Sequence, residues 1–250
     1  MWIMEVSDNL ASLHAEEERL RVQQLALIDG REALRDHFNI VREAMNVIYG
    51  LTHDHPHNSD DELTLQFLGI RLFNSAASSI KLALSGYYQN AFQHLRDILE
   101  TYFLIDYLLT YREKIPVWKV ADRKQLMAEF GPGAIRTALD KRDSFTGGKR
   151  KQIYDLISSH ATHVTYRGFR MTTKNTLGEI GPFVGEENLQ AWLEEMAKAL
   201  THAGVIYSSH FADIGLPLLR VKEKYIADVT AWRDKYLSPT QGASGSPAAT

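Results

Sequence analysis

The sequence contains no cysteine. That absence removes disulfide staples, thiol nucleophiles, zinc ribbons and Cys-held iron–sulfur clusters from the candidate chemistries. It has little charge excess of either sign. Its 28 Lys and Arg against 31 Asp and Glu give a formal net charge of −3, so no global basic field draws in nucleic acid. It lacks long apolar runs. Its greasiest stretches are interrupted by Arg71, Asn74, Lys81, Arg96, Asp97 and Glu100. None offers the ~18 clean apolar residues of a membrane-spanning helix. The opening MWIMEVSDNL has neither the basic region nor the apolar core of a secretory signal. A cytoplasmic protein without membrane association is therefore expected.

The strong catalytic signatures are missing too. There is no His-Glu-x-x-His, no Walker loop, no Gly-x-Gly-x-x-Gly and no Gly-x-Ser-x-Gly. The Glu-x-x-His that a di-iron bundle needs on two helices occurs nowhere. No cofactor and no metal site are assigned.

What the chain does have is helical periodicity nearly throughout. Ser7 to Leu27 reads as a charged amphipathic helix, with Asp29-Gly30 as its break. Leu34, Phe38, Val41, Met45 and Ile48 recur at three- and four-residue steps, the mark of a second. The polar connector HDHPHNSDD follows, and Ser59 or Asp60 can cap the next helix, which runs to about Ser85. Tyr87 to Tyr111 follows at once, so the two should form an antiparallel hairpin. Further helices are expected over Ile115–Phe130, up to Arg142, over Lys149–His163, Glu186–Phe211 and Gly215–Tyr236. Val164 to Gly185, rich in glycine, reads as one long irregular loop, which in a compact domain is usually functional or mobile. No strand alternation stands out. The expectation is a single all-α domain over residues 1–237: a helical bundle built around an antiparallel hairpin, with a disordered tail over 238–250.

The most informative stretch is that hairpin, Glu62 to Tyr111. Its second arm carries Arg96 and Glu100 four residues apart, and a buried charge is costly unless paired. On a helical wheel Tyr88, Phe92, Leu95, Leu99, Tyr102 and Leu109 form the core stripe. Arg96 and Glu100 lie on its flank with Gln89, Gln93, Phe103 and Tyr107. The plain reading is an i,i+4 pair at a surface edge, worth a few tenths of a kcal/mol. The functional reading is a guanidinium–carboxylate pair lining a polar pocket, with Gln93 and Tyr107 as binding residues.

The densest chemical cluster is SSHATH, Ser158 to His163, followed by Tyr166, Arg167 and Arg170. Histidine can act as acid, base or ligand near neutral pH. His160 and His163 are therefore candidates for catalysis, and Tyr166, Arg167 and Arg170 for binding. Continued as an α-helix, the segment leans both histidines toward the core; one could equally cap the helix end and the other be a satisfied core residue. His53-Asp54, within HDHPH, has metal-binding composition but falls where a helix ends. Lys149-Arg150-Lys151 could contact phosphate, though a solvated helix start explains it as well.

LRDILETYFLIDYL and YDLISSHATH together resemble a bacterial family of helical proteins of unknown function (DUF5677-like). That family carries an Arg-x-x-x-Glu helix and a Tyr-x-x-Leu-Ser…His helix end; here Ile157-Ser158 stands for the Leu-Ser. The resemblance covers roughly Leu63 to His163. It implies only that Arg96, Glu100 and His160 or His163 belong to one cluster. The hairpin also looks loosely like that of HEPN nucleases, which place a His a few residues after an Arg; the match here is Arg31 and His37.

The sequence thus points first to a helical bundle with a polar pocket and a binding or regulatory role, expected to be a homodimer. Two catalytic alternatives stand beside it. One is a metal-independent RNase or phosphodiesterase using His160 or His163 with Arg96, Arg167 or Arg170. The other is a metal-dependent hydrolase using His53 and Asp54.

Overall fold

The computed structural model describes residues 9–174 and 177–238, the side chains of Arg167 and Lys174 excepted. Among these residues are ten α-helices and one two-stranded ribbon only two residues long. The chain is an all-α bundle, as its periodicity requires. No helix among the described residues is long and apolar enough to cross a membrane.

Helix α3 (Asp60–Leu84) shows how local sequence sets an element. The Ser59 hydroxyl accepts the Glu62 N–H at 3.1 Å, and the Glu62 carboxylate accepts the Asn58 N–H at 2.5 Å. Asp60, Asp61 and Glu62 in the first turn face the positive end of the helix dipole. The helix stops at Ser85-Gly86. Gly86 has φ +86°, and a Cβ there would lie 2.7 Å from the backbone N and O of Phe183, so only glycine fits. The chain then reverses into α4 (Tyr88–Thr110), completing the expected hairpin.

α4 is the axis of the molecule. It packs against α3, α9 (Glu186–His210), α7 (Pro132–Arg142) and α8 (Lys149–Ile157). Of the anticipated stripe, Tyr88, Leu95 and Leu99 are buried. Ala91, Ile98, Ile105 and Leu108 on its other faces are buried as well. On the far side of α9 lies α2 (Glu32–Tyr49), flanked by α1 (Asn9–Gly30) and α10 (Leu216–Tyr236). Several buried polar groups are paired across these layers. The Trp192 indole N–H donates to the Ser79 hydroxyl at 2.9 Å, and that hydroxyl donates to the Ala91 carbonyl at 2.8 Å, tying α9, α3 and α4 together. The Tyr88 hydroxyl donates to Gln24 at 2.8 Å, and the Gln24 amide bonds the Ala83 and Leu84 carbonyls, fixing α1 to the hairpin turn.

Four boundaries differ from the sequence reading. The first helix continues through Asp29-Gly30 and breaks at Arg31, whose backbone is extended; Ser7 lies outside the described residues. Ile115–Phe130 is two short helices, α5 (Lys114–Val120) and α6 (Arg123–Glu129), because the Asp122 carboxylate accepts the Gln125 N–H at 2.8 Å and starts a new helix. Lys149–His163 is α-helical only to Ile157 and finishes as a π turn, Ser158–Thr162. The long loop contains a 3₁₀ segment, Tyr166–Thr172, and the ribbon Thr173–Lys174 with Leu177–Gly178. Residues 239–250 of the tail lie outside the described residues.

Candidate functional site

The flank of α4 that holds Gln89, Gln93, Arg96 and Glu100 meets α8 and the π turn after it. The π turn is what makes this contact polar. Winding that is looser than an α-helix re-aims backbone carbonyls, and such turns are common at functional sites. The Gln89 side-chain amide donates to the His160 carbonyl at 3.3 Å, and that of Gln93 to the Ala161 carbonyl at 2.9 Å. Gly168 comes close: a Cβ there would lie 3.0 Å from the His160 carbonyl oxygen.

One turn further along α4, Arg96 Nε donates to Glu100 Oε1 at 3.0 Å, and the Tyr154 hydroxyl donates to the same oxygen at 2.7 Å. The Arg96 guanidinium also bonds the Tyr154 hydroxyl, and its Cζ lies 4.8 Å from the phenol ring centroid. Arg136 of α7 sits 3.9 Å from that centroid. Burial first, then the hydrogen bond to Glu100, raise the Tyr154 pKa, so the phenol stays a donor at neutral pH. The seam joins α4, α7 and α8 through one aromatic ring and three charges.

Both donors to Glu100 use the same carboxylate oxygen. Oε2 has no hydrogen-bond partner among the described residues, and Glu100 lines a cavity of about 690 Å³ between α3, α4, α5 and the start of α7. Phe67, Ile70, Phe103, Leu104, Trp118 and Ile135 supply its apolar wall. Its other polar edge is Asp97, which takes Arg71 on one oxygen, with Nε at 3.1 Å, and the Ser75 hydroxyl on the other. Phe67 and Ile70 remain exposed at the rim, so the cavity is open along α3.

The other candidate residues stand apart. His160 Nδ1 is 2.9 Å from the Leu156 carbonyl of its own helix, and His163 is exposed. Neither imidazole bonds Arg96 or Glu100; the backbone of His160, not its ring, meets the seam. His163, read in α-helical register as leaning toward the core, is exposed, as are Ile153 and Leu156, whereas His160 is half-buried and Ile157 is buried; the π turn breaks that register. Tyr166 and Arg170 line a separate cleft of about 960 Å³ with Phe183 and the first turn of α9; the Arg167 side chain lies outside the described residues. Tyr107 is buried against Tyr111 and Phe130, at centroid distances of 4.9 and 6.1 Å, and burial raises its pKa.

His53 Nδ1 and Asp54 Oδ1 are 2.7 Å apart, and both residues are exposed. Among the described residues no group of three or more histidines and carboxylates is placed to hold a metal ion. Arg31 pairs with Glu186, whereas His37 is buried and accepts the Trp232 indole N–H at 2.9 Å. Burial lowers the His37 pKa, which suits a neutral acceptor. Arg150 bonds Asp140 and Asp143, and Lys151 bonds Asp155.

Two parts of the site were not singled out in the sequence. Tyr154 lies within a quoted motif but 54 residues from Glu100, and nothing local marks it as the partner. The Arg71–Asp97 pair did leave a signal: two opposite charges interrupt the two apolar arms of one hairpin. Comparison with known proteins adds no name: no family model, no curated protein and no solved structure matches the chain.

Proposed function

We propose that this chain is a binding protein whose ligand enters the cavity between α3, α4, α5 and α7. The observation that carries the reading is the unpartnered Oε2 of Glu100 at the edge of an apolar cavity. Its volume falls within the range of roughly 300–1,000 Å³ typical of small-molecule sites, which combine apolar walls with a few fixed polar groups. Arg96 and Tyr154 hold the carboxylate in place, so its free oxygen is oriented in advance. The ligand class is a small, mainly apolar molecule carrying an ammonium or N–H donor.

Titration calorimetry with tryptamine tests this. Saturable binding is expected, weakened about tenfold in Glu100→Gln, as loss of a charge-assisted hydrogen bond implies. Absence of binding, or binding equal in the variant, overturns the reading. A phosphodiesterase needs an imidazole and a cation converging on one substrate, and the separation of His160 and His163 from Arg96 gives that alternative less support. The His53–Asp54 pair, with no third ligand beside it among the described residues, likewise lends little to a metal-dependent hydrolase. We further propose a cytoplasmic homodimer. The lack of cysteine fits the compartment, and exposed Phe67, Ile70, Leu156 and Phe169 fit self-association. Light scattering on the purified chain at the mass of a monomer would refute the dimer.

A further inference from the structure

On the opposite flank of α4 a second cavity, of about 320 Å³, lies between α4, α8 and α9. Its walls are apolar: Leu95, Leu99, Ile153, Ile157, Ala199 and Ile206. Several charged groups border it, and most are already matched. Asp106 takes both terminal nitrogens of Arg142, at 2.6 and 3.0 Å. Arg150 is held by Asp140 and Asp143, and Lys198 by Glu195 at 2.6 Å. Three groups remain. Lys149 forms no ion pair among the described residues. His202 has its Nδ1 on the Lys198 carbonyl at 2.7 Å, leaving Nε2 without a partner among the described residues. The hydroxyl of half-buried Tyr102 makes no hydrogen bond among the described residues, and desolvation raises its pKa and keeps it a donor.

After the fixed pairs cancel, the cavity therefore offers one ammonium, one phenol donor, one imidazole nitrogen and an apolar interior. We propose that it is a binding site for a small apolar monocarboxylate, with the acyl or aryl body against Leu95, Leu99 and Ile157 and the carboxylate at Tyr102 and Lys149. The site is distinct from the cavity beside Glu100 and rests on none of the reasoning for it. The head group also has the opposite sign, so the two sites select different molecules.

The test uses octanoate as the probe, with octanol and octylammonium as its neutral and cationic counterparts, on the full chain by titration calorimetry. Octanoate is expected to bind at least about tenfold more tightly than either counterpart, because only it can accept from the phenol and pair with the ammonium. Tyr102→Phe should weaken octanoate about tenfold and octanol markedly less, because the bond to a carboxylate is charge-assisted and that to an alcohol is not. Lys149→Gln should weaken it about threefold, with the difference vanishing in high salt, as for an exposed charge. Both substitutions are mild, one conservative and one on an exposed residue, and neither residue lines the Glu100 cavity. Equal affinity for octanoate and octanol overturns the proposal. So does octanoate binding that both variants leave unchanged.

Discussion

Two arginine–carboxylate clusters lie along α4 within about two turns of each other, and they are completed to different degrees. In the first, Arg142 bonds both oxygens of Asp106 and both of Asp143, and Arg150 adds a bond to Asp143 and one to Asp140. Every oxygen of Asp106 and Asp143 is engaged. In the second, Arg96 and Tyr154 crowd onto one oxygen of Glu100, and the other has no partner among the described residues. The same chemistry thus serves as a rivet in one place and as an open hand in the other. What separates them is whether the acceptors are used up, not how the charges are spaced in sequence.

The contrast can be broken by mutation. Asp106→Ala should lower the unfolding free energy by about 2 kcal/mol in urea titration, because it removes both charge-assisted bonds that tie Arg142 to α4 and leaves that arginine to Asp143 and Thr110. Glu100→Ala should cost less than about 1 kcal/mol, since the Glu100 side chain is twice as exposed as that of Asp106, 31% against 15%. Equal losses would erase the distinction. A second effect is pH dependence. The hydrogen bonds from Arg142, then Arg150, hold the Asp143 carboxyl down at about 2. A carboxylate whose folded pKa lies below its unfolded value stabilises the fold above the unfolded pKa and loses that contribution as pH falls through the folded one. Stability should therefore drop between about pH 4 and pH 2, and Asp143→Asn should flatten that limb of the acid-unfolding curve. The smallest effect concerns the π turn. Gln93→Ala removes one neutral hydrogen bond, costing about 1 kcal/mol or less. Its clearest readout is faster amide exchange over Ser158–Thr162.

Much of this frame was legible beforehand, for identifiable reasons. The α3–α4 hairpin declared itself because apolar side chains recur on both arms and Gly86 stands at the only sharp reversal between them. Arg96 and Glu100 were readable as a pair because four residues make one helical turn. Tyr154 was not readable as their partner, since tertiary packing alone brings residue 154 to residue 100. The break between α5 and α6 was hidden because Ala121-Asp122 has neither glycine nor proline; a single capping carboxylate does the work. His163 was misplaced for a related reason. Nothing in SSHAT distinguishes a π turn from an α turn, and extending the ordinary register through it turns His163, which is exposed, toward the core. The open oxygen of Glu100 could not be read from the sequence at all, because it depends on two donors choosing the same acceptor.

The π turn itself amounts to one residue more than an α-helix would use over the same rise. Removing a single codon, that of Ser159, would let α8 wind on in step. The carbonyls that now meet Gln89 and Gln93 would return to the helix's own ladder, and everything from Thr165 onward would leave the bundle about a third of a turn away from where it now departs. The junction between the packed helices and the long loop is in that sense an insertion that the fold has put to use.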